Sequence, residues 1–117
     1  QQSRANALRE ARVPRVVVAD GAMGAMHQAQ APSREDFQNL EGCTEVLTRT
    51  RPVSVRSVDA AKCAGGVDCV ASTSYGANGA ALGEYDLPAR IFELSEAGAR
   101  IARVVADAHT AADGRTR

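Results

Sequence analysis

The sequence predicts an α/β fold built on parallel strands. Two short runs rich in β-branched residues, at 15–19 and 67–72, each end in a polar loop that contains glycine. Valine restricts χ1 in a helix but packs well on a pleated surface, so these runs favour strands. Segments of helical character lie before, between and after them. This alternation is typical of βαβα construction with right-handed crossovers.

Three segments predict the helices. Residues 3–12 are good helix formers that follow Ser3, and Pro14 ends them. A second helix is expected from Pro52 to Gly65, where a thin apolar stripe is interrupted by Asp59 and Lys62. A third begins at Pro88 and keeps a helical period to about residue 108. Residues 25–42 are expected to be an irregular excursion with one helical turn after Ser33.

These elements predict three regions along the chain. Residues 1–14 form an N-terminal helix and lead-in, residues 15–111 form the α/β domain, and residues 112–117 form a flexible tail. Two strands leave a parallel sheet with open edges and an uncovered apolar face. The sequence therefore predicts a homodimer or higher oligomer in which association completes the sheet.

Composition argues against two classes of partner. The 14 Lys and Arg residues balance the 14 Asp and Glu residues, so no net field attracts nucleic acid or an anionic membrane. Aromatic residues make up only 3% of the chain, which leaves few platforms for base stacking. No apolar run approaches the roughly 20 residues that a membrane helix needs. We therefore expect no nucleic-acid partner and no membrane partner.

The three cysteines predict a reduced, cytoplasmic protein. Cys43, Cys63 and Cys69 are odd in number and contain no Cys-x-x-Cys spacing, so they encode neither a disulfide framework nor a zinc ribbon. Nothing at the N-terminus of the sequence has the apolar stretch of a signal peptide. Cys43 lies in a predicted loop and is a candidate nucleophile, but the sequence identifies no base for it.

The candidate binding site consists of the two loops that follow the predicted strands. In parallel sheets, function collects at the carboxyl ends of the strands. The candidate residues are Asp20, Gly21, Ala22, Met23, Gly24, Ser72, Thr73 and Ser74. The plainer interpretation is that Asp20 only ends its strand and caps the loop. His27 lies nearby and could act as an acid or base, although a lone loop histidine is more often simply solvated.

Five motifs occur in order along the chain and carry a family resemblance. They are Asp20-Gly21-Ala22-Met23-Gly24, Leu40-Glu41-Gly42-Cys43, Thr50-Arg51-Pro52, Gly66-Val67-Asp68-Cys69-Val70, and Gly76-Ala77-Asn78 through Leu82-Gly83-Glu84-Tyr85-Asp86-Leu87-Pro88. Together they resemble the beginning of the homocysteine-binding barrel of cobalamin-dependent methionine synthase. The resemblance implies a partial TIM-barrel-like fold made of the first two βα units.

The resemblance also implies an activity and its cofactors. The family transfers a methyl group to homocysteine, using zinc and methylcobalamin. Its zinc is held by cysteines from later strands, including an adjacent pair, and this chain has no adjacent pair. We therefore expect no cofactor in this chain. Asp20 and Gly21 match the family's first loop, where they help to hold the amino-acid end of homocysteine.

Departures from the family pattern fall in the loops. The family has Glu-Thr-Asn-Thr-Phe where this chain has Ala71-Ser72-Thr73-Ser74-Tyr75, and Val53 and Ala25 replace an aspartate and a threonine. Two functions follow. One is homocysteine binding for methyl transfer, in a truncated domain that lacks the zinc ligands. The other is a free-standing accessory or small-molecule-binding protein of a specialised, secondary-metabolite pathway, with no methyltransferase activity and a less polar ligand.

Overall fold

The computed structural model describes residues 2–21, 23–40, 42–83 and 88–117, and in these ranges the protein is mostly helical. The α-helices are α1 (Gln2–Ala11), α2 (Met23–Ala29), α3 (Leu47–Thr50), α4 (Pro52–Ala64), α5 (Gly79–Gly83) and α6 (Ile91–Asp113). Short 3₁₀ turns at Thr44–Val46 and Pro88–Arg90 precede α3 and α6.

The predicted parallel-strand α/β fold is wrong. Across the described ranges no strand is present, and the two β-branched runs meet at one parallel bridge between Ala19 and Cys69. The described residues therefore contain neither the sheet that was expected to be completed by oligomerisation nor a partial TIM-barrel arrangement of strands. The valines at 16 and 18 are 82% and 50% exposed rather than packed on a sheet face.

Two acidic side chains explain why pairing stops after one bridge. Asp68 Oδ2 accepts the backbone N–H of Val18 at 3.0 Å, and Asp20 Oδ1 accepts that of Ala71 at 2.8 Å. The backbone hydrogen bonds that remain between the two segments involve the Val18 carbonyl and Asp20 N. The Val18 carbonyl accepts from Asp68 N and Cys69 N, and Asp20 N donates to the Cys69 carbonyl. Carboxylates have taken hydrogen bonds that a ladder of backbone pairs would use. The segments stay extended without forming a sheet.

The three predicted helices are confirmed. Pro52 stands in the first turn of α4, where its missing N–H costs no hydrogen bond. α6 ends at Gly114, whose φ of 73° is the left-handed conformation that glycine adopts most easily. The helices α2, α3 and α5 were not predicted. Of these, α2 occupies part of the segment that was expected to be irregular.

The core lies where α4 and α6 pack together with the segment from 37 to 47. One buried cluster joins Cys43, Val46, Leu82 and Leu94, and a second joins Phe37, Leu47 and Val55. Both are built from medium-sized side chains, and both draw on α6, through Leu94 in the first and Ile101 in the second. α6 therefore connects the two parts of the core.

Gly98 is the point at which α6 comes closest to the loop after the second β-branched run. A Cβ at this position would lie 2.9 Å from the carbonyl oxygen of Thr73, a backbone atom that cannot swing aside. The glycine is buried within α6. Its missing side chain is what allows the helix to lie against the 72–74 loop.

No helix among the described residues is long and apolar enough to cross a membrane.

We predict that Gly98→Ala destabilises the protein by about 1–3 kcal/mol, because the new methyl group forces α6 away from Thr73. This loss exceeds the gain of up to about 1 kcal/mol that alanine brings to a helix interior. Chemical denaturation measures the free energy of unfolding. Gly24→Ala is the matched control: Gly24 lies in α2, a Cβ there meets nothing within 4 Å, and the substitution should be neutral or stabilising. Equal effects of both substitutions would contradict the close approach.

Candidate functional site

The two predicted site loops lie side by side. The Ala19–Cys69 bridge and the hydrogen bond from Asp20 N to the Cys69 carbonyl bring the ends of the two segments together. The bond from Ala71 N to Asp20 Oδ1 then joins the start of one loop to the start of the other. The 20–24 and 72–74 segments are thereby juxtaposed without a sheet.

A buried ion pair lies beneath the two loops. Lys62 Nζ is 2.8 Å from Asp20 Oδ2, and the two side chains are only 5% and 3% exposed. Asp20 uses one carboxylate oxygen for Lys62 and the other for the Ala71 amide. Because each charge has a partner, the cost of removing both from water is offset. Asp20 therefore couples α4 to both loops.

A chain of polar contacts continues from Lys62 to α2. Lys62 Nζ is 3.2 Å from Met23 Sδ, and Thr73 Oγ1 donates to the same sulfur at 3.4 Å. Thr73 Oγ1 also lies 3.2 Å from His27 Nε2. A hydrogen bond therefore joins the imidazole of His27 to the Thr73 hydroxyl. Met23 and Thr73 thus link the two loops through their side chains.

His27 is buried rather than solvated, so the expectation for it was wrong. It is 1% exposed in α2, and its Nδ1 has no hydrogen-bond partner among the described residues. Burial lowers the pKa of His27, and the positive charge of Lys62 lowers it further. The imidazole is therefore neutral at physiological pH and serves as a hydrogen-bonding group on Thr73.

Asp59 is the most unusual charged residue of the site. It is fully buried one turn before Lys62 on α4, and neither carboxylate oxygen has a hydrogen-bond partner in the described ranges. Burial raises the pKa of Asp59 from 3.8 to about 6, Lys62 opposes the rise, and Asp20 adds to it. The single positive charge of Lys62 can neutralise only one of the two buried carboxylates, and Lys62 contacts Asp20.

The remaining predicted site residues differ in their access to solvent. Gly21 and Gly24 are exposed, Thr73 is buried, and Ser72 and Ser74 are half-buried with their hydroxyl oxygens 2.6 Å apart. Ala22 lies outside the described residues. The groups that a ligand could reach are therefore the backbone around Gly21 and the two serine hydroxyls.

A second contact fixes the far end of the 72–78 loop. Glu45 Oε1 accepts the backbone N–H of Gly76 at 2.8 Å, and a Cβ at Gly76 would lie 2.6 Å from that oxygen. Here the absence of a side chain lets a carboxylate reach the backbone. The loop is held by Asp20 at Ala71 and by Glu45 at Gly76.

Sequence reasoning missed Asp59 and Lys62, which it treated as interruptions of an apolar stripe. A signal for them was present, because Val55, Val58, Asp59 and Lys62 stand at i, i+3, i+4 and i+7 and therefore share one helix face. All four are buried. Nothing in the local sequence indicated that the partner of Lys62 would be Asp20.

The described residues do not form a site that fits a metal ion. Throughout the described part of the chain, no three His, Cys, Asp or Glu side chains converge as ligands. Cys43 and Cys63 are each 1% exposed, and burial raises the pKa of both thiols, which opposes the thiolate form that zinc requires. Cys43 is therefore not the accessible thiol that its loop position predicted.

Comparison with known proteins accounts for the sequence pattern. The profile of the homocysteine S-methyltransferase family matches residues 17–116. The chain belongs to the homocysteine S-methyltransferase family. This confirms the resemblance that the five motifs indicated.

Two relatives of this family member are methionine synthases of mycobacteria. The methionine synthase of Mycobacterium tuberculosis (strain ATCC 25618 / H37Rv) is 44% identical over 93 residues, which cover 80% of this chain and 8% of that protein. The methionine synthase of Mycobacterium leprae (strain TN) is 41% identical over 106 residues, which cover 91% of this chain and 9% of that protein. The chain thus spans less than a tenth of the length of these two relatives.

We predict that Lys62→Met destabilises the protein by about 3–5 kcal/mol, because methionine fills a similar volume but leaves the buried Asp20 carboxylate without its counter-charge. The free energy of unfolding from chemical denaturation tests this. The control is Arg100→Gln, which removes an exposed ion pair with Glu96 on α6 and should cost less than about 1 kcal/mol. The double variant Asp20→Asn/Lys62→Met should recover part of the loss. A loss no larger than that of the control would contradict the pair's role.

We predict that Asp59 makes the free energy of unfolding fall as pH rises. Its folded-state pKa is raised, so the folded protein holds the proton more tightly than the unfolded chain, and wild type loses stability between about pH 4 and pH 6. Asp59→Asn mimics the protonated carboxyl group. The variant should become more stable than wild type across this range, by up to about 3 kcal/mol above it.

The measurement for Asp59 is the difference between the two unfolding free energies at each pH. His27 has the opposite dependence, because its lowered pKa costs stability as pH falls, but it is present in both proteins and cancels. A difference that does not change with pH would show that the pKa of Asp59 is the same in the folded and unfolded states, which would contradict the prediction.

Proposed function

We propose that this chain binds the amino-acid end of homocysteine, as the substrate-positioning part of a methyl transfer of the methionine synthase type. The observation that supports this most directly is the juxtaposition of the 20–24 and 72–74 loops by the Asp20 contacts to Cys69 and Ala71. Membership of the homocysteine S-methyltransferase family supports the choice of ligand. The arrangement also offers the polar groups that an amino acid needs.

Each group has a role in this proposal. The exposed backbone at Gly21 and the Ser72–Ser74 hydroxyl pair donate hydrogen bonds to the α-carboxylate. One hydroxyl proton is used between the two serines, so the pair supplies the other. Asp20 holds the two loops in register, and an ammonium group can share the carboxylate oxygen that accepts from Ala71, since each oxygen has two lone pairs. Lys62 pairs with the other carboxylate oxygen of Asp20.

The proposal assigns binding to this chain and no step of the methyl transfer. The family uses zinc to activate the thiol, and the described residues contain no side-chain cluster that fits zinc. We infer that groups other than the side chains described above activate the homocysteine thiol and hold the methyl donor. Loss of binding, rather than loss of turnover, is then the appropriate measurement for this chain.

A second candidate is a binding protein for a less polar molecule, without methyltransferase activity. It is favoured by an open groove of about 470 Å³ beside the first loop, lined by Gly24, Ala31, Pro32 and Phe37 among others. The Asp20 carboxylate is 3% exposed, so an ammonium group reaches it only if the loops part slightly. An apolar ligand in the groove would need no such movement.

We further propose that the protein associates with copies of itself in solution. Val16 and Phe92 support this, because they are 82% and 79% exposed and large exposed apolar side chains favour association. Light scattering at micromolar concentration tests it, and a monomeric mass would contradict it.

We predict that isothermal titration calorimetry detects homocysteine binding, and that Ser74→Ala weakens it about threefold to tenfold through the loss of one hydrogen bond. Ser57→Ala, on the exposed face of α4, is the control and should bind as wild type does. If millimolar homocysteine gives no heat while an apolar molecule such as indole binds, the second candidate replaces the first. If the two variants behave alike, the 72–74 loop is not the carboxylate site.

A further inference from the structure

A second cavity lies between α1 and the first residues of the 15–19 segment. It has a volume of about 450 Å³ and is enclosed by α1, the start of the 15–19 segment, α6 and the last three residues. Its lining includes Arg15 and Val17, whereas Asp20 stands at the opposite end of the same extended segment. The cavity shares none of its lining residues with the candidate homocysteine site.

Arginine is the dominant polar residue of this cavity. Five line it: Arg4, Arg15, Arg103, Arg115 and Arg117. The carboxylate in the lining is Asp68, which accepts from Arg15 at 2.8 and 3.0 Å and from Arg115 at 2.8 Å. The hydrogen bonds from Arg15 hold the pKa of Asp68 well below its usual value, so it stays ionised and fixes both guanidinium groups in place.

The arginines outnumber the side-chain carboxylates that pair with them. Asp107 serves both Arg4 and Arg103, at 3.3 and 2.8 Å, and Asp113 serves Arg117 at 2.7 Å. Among the described residues, three side-chain carboxylates, Asp68 included, therefore face five guanidinium groups. Arg103 Nε is in addition buried without a hydrogen-bond partner among the described residues. An excess of fixed positive charge with an unused donor favours an anion.

The cavity also has apolar lining. Ala5, Leu8 and Ala11 of α1 contribute to it together with Val17. α1 contains no buried residue, and Leu8 is 43% exposed, so this apolar lining is not covered by the protein's own side chains. The cavity therefore offers both guanidinium groups and an apolar wall, and its volume lies in the range of small-molecule sites.

We propose that this cavity binds an organic anion: a phosphate or carboxylate group attached to a compact apolar body. The anionic group lies against Arg4, Arg103 and Arg115, because Arg15 is already held by two bonds to Asp68 and Arg117 by two bonds to Asp113. The apolar body covers Leu8 and Val17. Ligand binding would in this way attach α1, which buries no side chain of its own, to α6.

A native thiol reports on occupancy of the cavity. Cys69 lines it and is partly exposed, whereas Cys43 and Cys63 are buried. Phenyl phosphate at millimolar concentration should slow the reaction of Cys69 with the neutral reagent 4,4′-dithiodipyridine at least threefold, and Cys69→Ser should abolish the fast reaction. An unchanged rate with phenyl phosphate present would overturn the proposal.

Calorimetry with phenyl phosphate then locates the anionic group. Arg115→Gln should weaken binding by about tenfold, the effect of one charge-assisted hydrogen bond. Arg56→Gln, on the exposed face of α4, removes the same charge outside the cavity and should leave binding unchanged. Equal losses in both variants would mean that only net charge matters and would overturn the assignment.

The apolar wall is tested by a substitution that leaves the five arginines in place. Leu8→Ala removes an exposed side chain from a helix that buries nothing, so the protein should fold as wild type does. It should weaken phenyl phosphate binding about threefold or more and leave the weaker binding of inorganic phosphate unchanged. If inorganic phosphate binds wild type as tightly as phenyl phosphate does, the site is not one for an organic anion.

Discussion

The buried pair between Lys62 and Asp20 is the interaction on which the rest of the site depends. Both side chains are almost fully removed from water, and their charged atoms are 2.8 Å apart. Such a pair stabilises a fold less than its Coulomb energy suggests, but losing one partner is costly because the other charge stays buried. The pair therefore specifies position: it forces α4, the 20–24 loop and the 72–74 loop into one arrangement. Met23 and Thr73 extend that arrangement to α2.

Carboxylates also determine what this chain does not form. Asp20 and Asp68 each accept a backbone N–H from the facing segment, and these bonds stand where a parallel ladder would have its own. Asp68 is itself fixed by Arg15 and Arg115, so the side chain is not free to release the Val18 amide. The same residue thus ends the backbone pairing and organises the arginine cavity. One carboxylate therefore links a local conformation to the proposed anion-binding cavity.

Family membership and geometry bear on different parts of the function. The homocysteine S-methyltransferase match concerns the sequence from 17 to 116, and its mycobacterial relatives are more than ten times as long as the stretch they share with this chain. The geometry concerns the groups that we propose for binding: the exposed backbone at Gly21, two serine hydroxyls, and the Lys62–Asp20 pair. Lys62 of α4 holds Asp20, and Gly98 of α6 allows the close approach to the 72–74 loop. Substrate positioning is the role that we propose for these features together.

The sequence by itself determined the family, the helices α1, α4 and α6, and the candidate loops. Those features are local: they follow from capping residues, from helical periodicity and from motifs of a few residues. Only the tertiary structure decided that the valine runs would not form a sheet, because strand formation depends on whether neighbouring chain or a side chain takes the backbone hydrogen bonds. It also decided that Lys62 of α4 would meet Asp20 and lie near His27, since these residues are 42 and 35 positions away from it and no local signal connects them. Burial of a charge is determined by the partner that it meets, and that partner is known only after the chain has folded.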